Sequence, residues 1–275
     1  MLSEKFSRSV AKTLGIFYGL GYVGNIVAPL FLTSIAFYWG WRNALFALTV
    51  IPATIGLILI FYLRGERVGG KSIADNAGVS LARDLGSFIR NKSALAIIVA
   101  QALVVGGTGQ GVLVTYTPLF LKNGLGLGTF ETSLLYSIAM GGGIAGTVIL
   151  GRYSDKIGHL KGAVLCTGLS ALFVFLIASY SSFETMLVPH LFLVGLLSFP
   201  IPSLLQSYLV SVATPSERDI LVGLFLTLGF GFSSLWSATL GLLIDTYGSF
   251  TPIWLLMSAL STLALFLQLL AYKIR

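Results

Sequence analysis

Long apolar runs separated by short charged turns dominate this chain. Residues 132–150 contain no Asp, Glu, Lys or Arg, and neither do residues 162–183. Eight apolar runs occur, at about 13–37, 43–63, 94–121, 130–150, 162–181, 186–212, 220–246 and 251–272. Crossing the hydrocarbon takes about 20 residues in helical form, so each run predicts a transmembrane α-helix. Lipid cannot satisfy exposed backbone polar groups, which leaves only helices and closed barrels. Barrel strands would alternate in hydrophobicity over segments of about ten residues, and these runs are continuous. The expected fold is an all-α polytopic bundle of about eight spans.

Composition supports the same reading. The chain is 56% hydrophobic and 10% charged, whereas a soluble domain carries about 25% charged residues. Its net charge of +7 is spread over many turns, not gathered on one surface, so no nucleic-acid partner is expected. With a cytoplasmic N-terminus, 15 of the 17 Lys and Arg residues fall on the inner side, and only Arg42 and Lys122 fall outside. The positive-inside rule then places both termini in the cytoplasm of a cell (plasma or inner) membrane. The first run is too long for a signal-peptide core, so it reads as a span. Residues 64–92 form the longest polar stretch. Within it, Leu81, Leu85, Phe88 and Ile89 share one helical face between about Val79 and Arg90. This predicts an amphipathic helix on the cytoplasmic leaflet, with a protein-docking helix as the alternative. The lone Cys166 excludes a disulfide framework and a cysteine-based metal cluster.

Residues 13–63 align with 221–271 at a constant offset of 208: Gly15 with Gly223, Gly21 with Gly229, and Gly40 with Gly248. Two similar helix pairs in one orientation suggest two parallel halves of a duplicated carrier. Between the fourth and fifth runs lies Gly151-Arg152-Tyr153-Ser154-Asp155-Lys156-Ile157-Gly158-His159-Leu160-Lys161, expected to be a short charged loop. Its G-x-Y-x-D-K-x-G-H pattern resembles the loop signature of the major facilitator superfamily, the twelve-helix solute carriers.

In that family two six-helix halves are joined by a cytoplasmic loop. The resemblance implies that residues 1–63 are the last two helices of the N-terminal half. Residues 64–92 would be the central loop, and 93–275 a complete C-terminal half. The chain would then correspond to the family's helices five to twelve, lacking the first four. It also implies a gating role for Gly151, Arg152, Asp155, Lys156 and Gly158, with Asp155 facing the start of the first span near Lys12 to Gly15. A generic charged hairpin with a solvated Asp155 is the alternative. His159 stands where the family has Arg, and Leu160 interrupts the basic pair.

Gly15, Gly19, Gly21, Gly24 and Pro29 form a small-residue stripe that resembles the family's fifth helix. Its implied packing partner is Gly141, Gly142, Gly143 and Gly146. Pro189, Pro200 and Pro202 predict kinks in the sixth span. The family's seventh and tenth helices line the cavity; here they carry Gln101, Gln110, Thr115 and Tyr116, then His190, Gln206, Ser207 and Tyr208. Substrate-cavity candidates are Gln110, Tyr116, Gln206 and Trp236, with Asn25 and Tyr136 from flanking helices. Intramembrane polar groups usually face the bundle interior, and helix–helix hydrogen bonding competes with substrate contact for each. His190 is the candidate for proton coupling, against a structural histidine.

No carboxylate, lysine or arginine lies in the middle of a run, which favours a neutral or weakly polar small-molecule substrate. No nucleophile–base pair or metal-ligand cluster lies at depth, so catalytic, metal and cofactor sites are not expected. The leading expectation is a secondary carrier working by alternating access, with a small-molecule substrate and the lipid bilayer as partners, and the missing N-terminal helices as a further partner if they are a separate chain. The competing expectations are a non-transporting remnant that packs with separately encoded N-terminal helices and, less favoured, an intramembrane enzyme.

Overall fold

The computed structural model describes residues 10–63, 91–214 and 217–274. All regular structure among them is helical. Helix α1 covers Val10–Leu63 and is interrupted at Gly40, whose φ of 82° is non-helical. Next come α2 (Lys92–Gly107), α3 (Gln110–Leu119, continued by a π-helical turn Phe120–Gly124), α4 (Thr129–Ile157) and α5 (His159–Ile177). They are followed by α6 (Leu187–Ser198), α7 (Ile201–Val212), α8 (Arg218–Tyr247) and α9 (Thr251–Ile274).

Seven stretches among the described residues are long and apolar enough to cross a membrane: Tyr38–Tyr62, Lys92–Gly124, Thr129–Ile157, His159–Ile177, Leu187–Val212, Arg218–Tyr247 and Thr251–Ile274. The run at 13–37 is helical as well, within the first arm of α1. The amphipathic segment expected over 79–90 lies outside the described residues.

Where the helices begin and break follows from particular residues. The Asn91 side chain caps α2, accepting a hydrogen bond from the Ala94 N–H at 3.1 Å. Glu131 folds back to accept the Gly128 N–H at 2.9 Å and starts α4. The expected span 94–121 divides at Thr108 and Gly109. A Cβ on Gly109 would collide with the backbone of Val105, so this break requires glycine. The expected span 186–212 divides at Phe199 and Pro200. Pro200 lacks the N–H that would continue the ladder. Pro189 makes no break, because it falls in the first turn of α6, where its missing N–H has no helical partner in any case.

The chain divides into two compact units, residues 1–22 with 84–275, and residues 23–83. In the larger unit α9 packs on α2 and α5, α4 on α6, α5 on α7, and α8 on α2. Ile97, Leu204, Tyr208, Phe225 and Ala264 belong to one buried apolar cluster contributed by these helices. Because lipid is as apolar as leucine, such a bundle is held by close packing and interhelical hydrogen bonds. One example is buried between α5 and α9. The Thr167 hydroxyl donates to Gln268 Oε1 at 3.1 Å, or the Gln268 amide donates to Thr167 Oγ1 at 3.0 Å.

Candidate functional site

The segment 151–161 is not an extended loop. Helix α4 continues through Ile157, α5 begins at His159, and Gly158 alone separates them with φ 101°. Arg152, Asp155 and Lys156 are compatible with helix, so charge density did not mark its end. A left-handed conformation that favours glycine did. Gly158 donates its N–H to the Ser154 carbonyl at 2.9 Å. Gly151 is buried, Arg152 and Lys156 are exposed, and Asp155 is half-buried. Asp155 Oδ1 stands 3.9 Å from His159 Nδ1, across the break.

The glycine stripe of α4 packs elsewhere than expected. A Cβ on Gly142 would overlap the Phe192 carbonyl oxygen, and one on Gly146 the Leu196 carbonyl oxygen. A Cβ on Gly143 would enter the Phe199 ring, and one on α6's own Gly195 would overlap the Ala139 carbonyl. The partner of this stripe is therefore α6, and backbone meets backbone. Gly141 has no neighbour there. Among the described residues of the expected first-span stripe, Gly19 shows a close approach to α4: a Cβ there would lie 3.0 Å from Thr147 Oγ1. Gly21 and Gly24 are exposed. Gly15, Asn25 and Pro29 lie in α1 but outside the residues whose surroundings are described. Small residues permit close approach but do not specify a partner.

Among the cavity candidates, Gln206 is joined to the first span. Tyr18 of α1 donates its hydroxyl proton to Gln206 Oε1 at 2.8 Å, and Gln206 is 8% exposed. Tyr18 was not anticipated, since one tyrosine in an apolar run gives no sign of its partner. Trp236 of α8 lies over Gly106 of α2 and donates its indole N–H to the Ala102 carbonyl at 2.8 Å. Tyr116 of α3 donates to the Ser237 carbonyl. The polar atoms of both thus already have backbone partners within the bundle. Gln110 opens α3 and Tyr136 lies on α4, both half-buried. Gln101 is 5% exposed, its Oε1 is buried without a hydrogen-bond partner, and it lies beside Gly229 of α8.

His190 is 8% exposed and has a contact at each ring nitrogen. Nε2 lies 2.7 Å from the Phe173 carbonyl, and Nδ1 lies 3.1 Å from the Tyr180 hydroxyl. A carbonyl can only accept, so Nε2 carries a proton. In the neutral ring, Nδ1 then accepts from Tyr180. Phe173 and Tyr180 also meet the imidazole edge-on at 5.4 Å.

Residues 1–238 match the family model of the Major Facilitator Superfamily. The chain belongs to this superfamily. It is therefore a multi-pass membrane protein of a transporter family. Over 174 residues it is 25% identical to the sialic acid transporter NanX of Escherichia coli (strain K12). That similarity covers 63% of this chain and 41% of the relative. The chain thus aligns with well under two thirds of the curated relative's length.

Proposed function

We propose that this chain forms part of a secondary carrier that moves a small hydroxylated solute by alternating access. Residues 1–63 act as the closing two helices of the first half, 64–92 as the central loop, and 93–275 as the second half. The 208-residue offset supports this assignment, because Gly40 and its counterpart Gly248 both have positive φ, at 82° and 61°. Both termini are cytoplasmic and the membrane is a cell membrane, as the basic residues indicate.

The observation that carries the reading is the Tyr18–Gln206 hydrogen bond at 2.8 Å. It joins the two proposed halves through neutral groups, which solute hydroxyls can replace without uncovering a charge. Gln206, with Gln101 and Gln110, supplies amides suited to a hydroxylated ligand. Tyr116 and Trp236 shape the wall, and Tyr136 contributes from α4. The α4–α5 junction, with Gly151, Arg152, Asp155, Lys156 and Gly158, closes the cytoplasmic side. His190 serves as a structural residue, since both ring nitrogens are engaged.

The relative's substrate makes sialic acid the first compound to assay. Its carboxylate would need a countercharge from beyond the middle of these spans, so neutral sugars and amino sugars belong in the same panel. The test is solute-dependent tryptophan fluorescence of the purified chain in lipid nanodiscs. A saturable change, with affinity reduced about tenfold in Gln206→Ala, is the expected result; that corresponds to ~1.4 kcal/mol, the scale of one good hydrogen bond. No saturable response to any panel member from a chain with an intact helical spectrum would overturn the proposal and favour a helix-packing subunit.

A further inference from the structure

We infer that the cleft at the α4–α5 junction binds a phosphate-bearing anion, either a lipid headgroup or a soluble phosphate ester. The cleft has a volume of about 630 Å³ and is walled by the junction, by Tyr208 and Ser211 of α7, and by Tyr272 of α9. Among the described residues, His159 and Lys161 line it, and no carboxylate does.

Lys161 lies with Nζ 5.9 Å from the Tyr272 ring centroid. Among the described residues it has no carboxylate partner, so the ring positions the ammonium without neutralising it. Asp155 approaches His159 at 3.9 Å and is not among the described residues that line the cleft. His159 Nδ1 is itself buried without a hydrogen-bond partner.

The floor is already fixed. Tyr208 OH and Ser93 Oγ share a hydrogen bond of 2.8 Å, and Ser211 donates its hydroxyl to the Tyr208 carbonyl at 2.6 Å. The ligand is therefore held by Lys161 and His159, with Tyr208, Ser211 and Tyr272 as the fixed wall. Gly158 starts α5 without a side-chain cap, so the positive end of that helix adds to the same field. The cleft lies at the junction of two membrane-spanning helices, α4 and α5.

The test is native mass spectrometry of the purified full chain with phosphatidic acid, with phosphatidylcholine, and with glycerol phosphate. Wild-type chain should retain phosphatidic acid about fivefold over Lys161→Gln, the effect of about one cation near a lipid surface. Lys161→Arg should restore retention, and Lys122→Gln, in the π-helical turn, should leave it unchanged. Displacement by millimolar glycerol phosphate identifies a soluble ester as ligand; retention of phosphatidic acid without displacement identifies a headgroup. Equal retention of phosphatidic acid by wild type and Lys161→Gln, with no glycerol phosphate adduct on either, overturns the inference. Circular dichroism of Lys161→Gln separates lost binding from lost folding, and if that variant is unfolded, Lys161→Ala with the same readouts replaces it.

Discussion

Among the described residues, helix α4 meets α6 through glycine, while Gly19 of α1 approaches it at the Thr147 hydroxyl. Along the first contact, Gly142, Gly146 and Gly195 bring carbonyl oxygens against α-carbons, leaving no room for a methyl group. At the second, Gly19 touches Thr147, and the neighbouring Tyr18 makes a neutral hydrogen bond to Gln206 of α7. Interpenetrating backbones resist sliding, because any displacement forfeits many short-range contacts at once. Each neutral hydrogen bond of this kind contributes only about 1 kcal/mol net and re-forms readily. Among the described residues, we propose that this difference separates a fixed seam within the second half from a separable contact between the halves.

Four substitutions test that contrast, ordered by the size of their effect. Gly146→Val drives two methyl groups into the Leu196 carbonyl and should cost at least about 3 kcal/mol, seen as loss of the monodisperse peak in fluorescence-detected size exclusion. Gly143→Ala meets the Phe199 ring instead, a side chain that can shift. Its cost should be about 1–2 kcal/mol, read as a lower Tm with the peak retained. Trp236→Phe removes the indole bond to the Ala102 carbonyl and should cost about 1 kcal/mol, in the same melting assay. Tyr18→Phe keeps the ring and deletes only the hydroxyl. Its effect on Tm should be the smallest, below about 1 kcal/mol, because the Gln206 amide can turn to another partner. A Tyr18→Phe loss as large as that of Gly146→Val would erase the distinction between the contacts.

The spans were legible because bilayer thickness imposes a length on every apolar run, and no side-chain detail is needed to count them. Their interruptions were legible only where backbone chemistry forces them. Pro200 removes a donor and breaks a helix, whereas Pro189, in a first turn, does not. The charges of segment 151–161 mark the membrane boundary and not the helix end, which depends on one positive φ at Gly158. Glycines announce close approach but not the partner: the sequence suggests the first span for the α4 stripe, and α6 packs against Gly142, Gly143 and Gly146. The amide of Gln206 stood out in an apolar run, whereas Tyr18 did not, since a tyrosine's ring is itself apolar. The Trp236 and Tyr116 contacts also lay beyond sequence reasoning, because their acceptors are backbone carbonyls, which every residue carries.

The most direct test is a pair of spin-label distances in lipid nanodiscs, leaving the buried Cys166 in place. Labels at Phe17→Cys and Ser211→Cys report on α1 against α7. Labels at Ile149→Cys and Phe192→Cys report on α4 against α6. In Tyr18→Phe the first pair should gain a longer-distance population, while the second keeps its wild-type distribution. An unchanged first pair, or parallel broadening of both, would contradict the account.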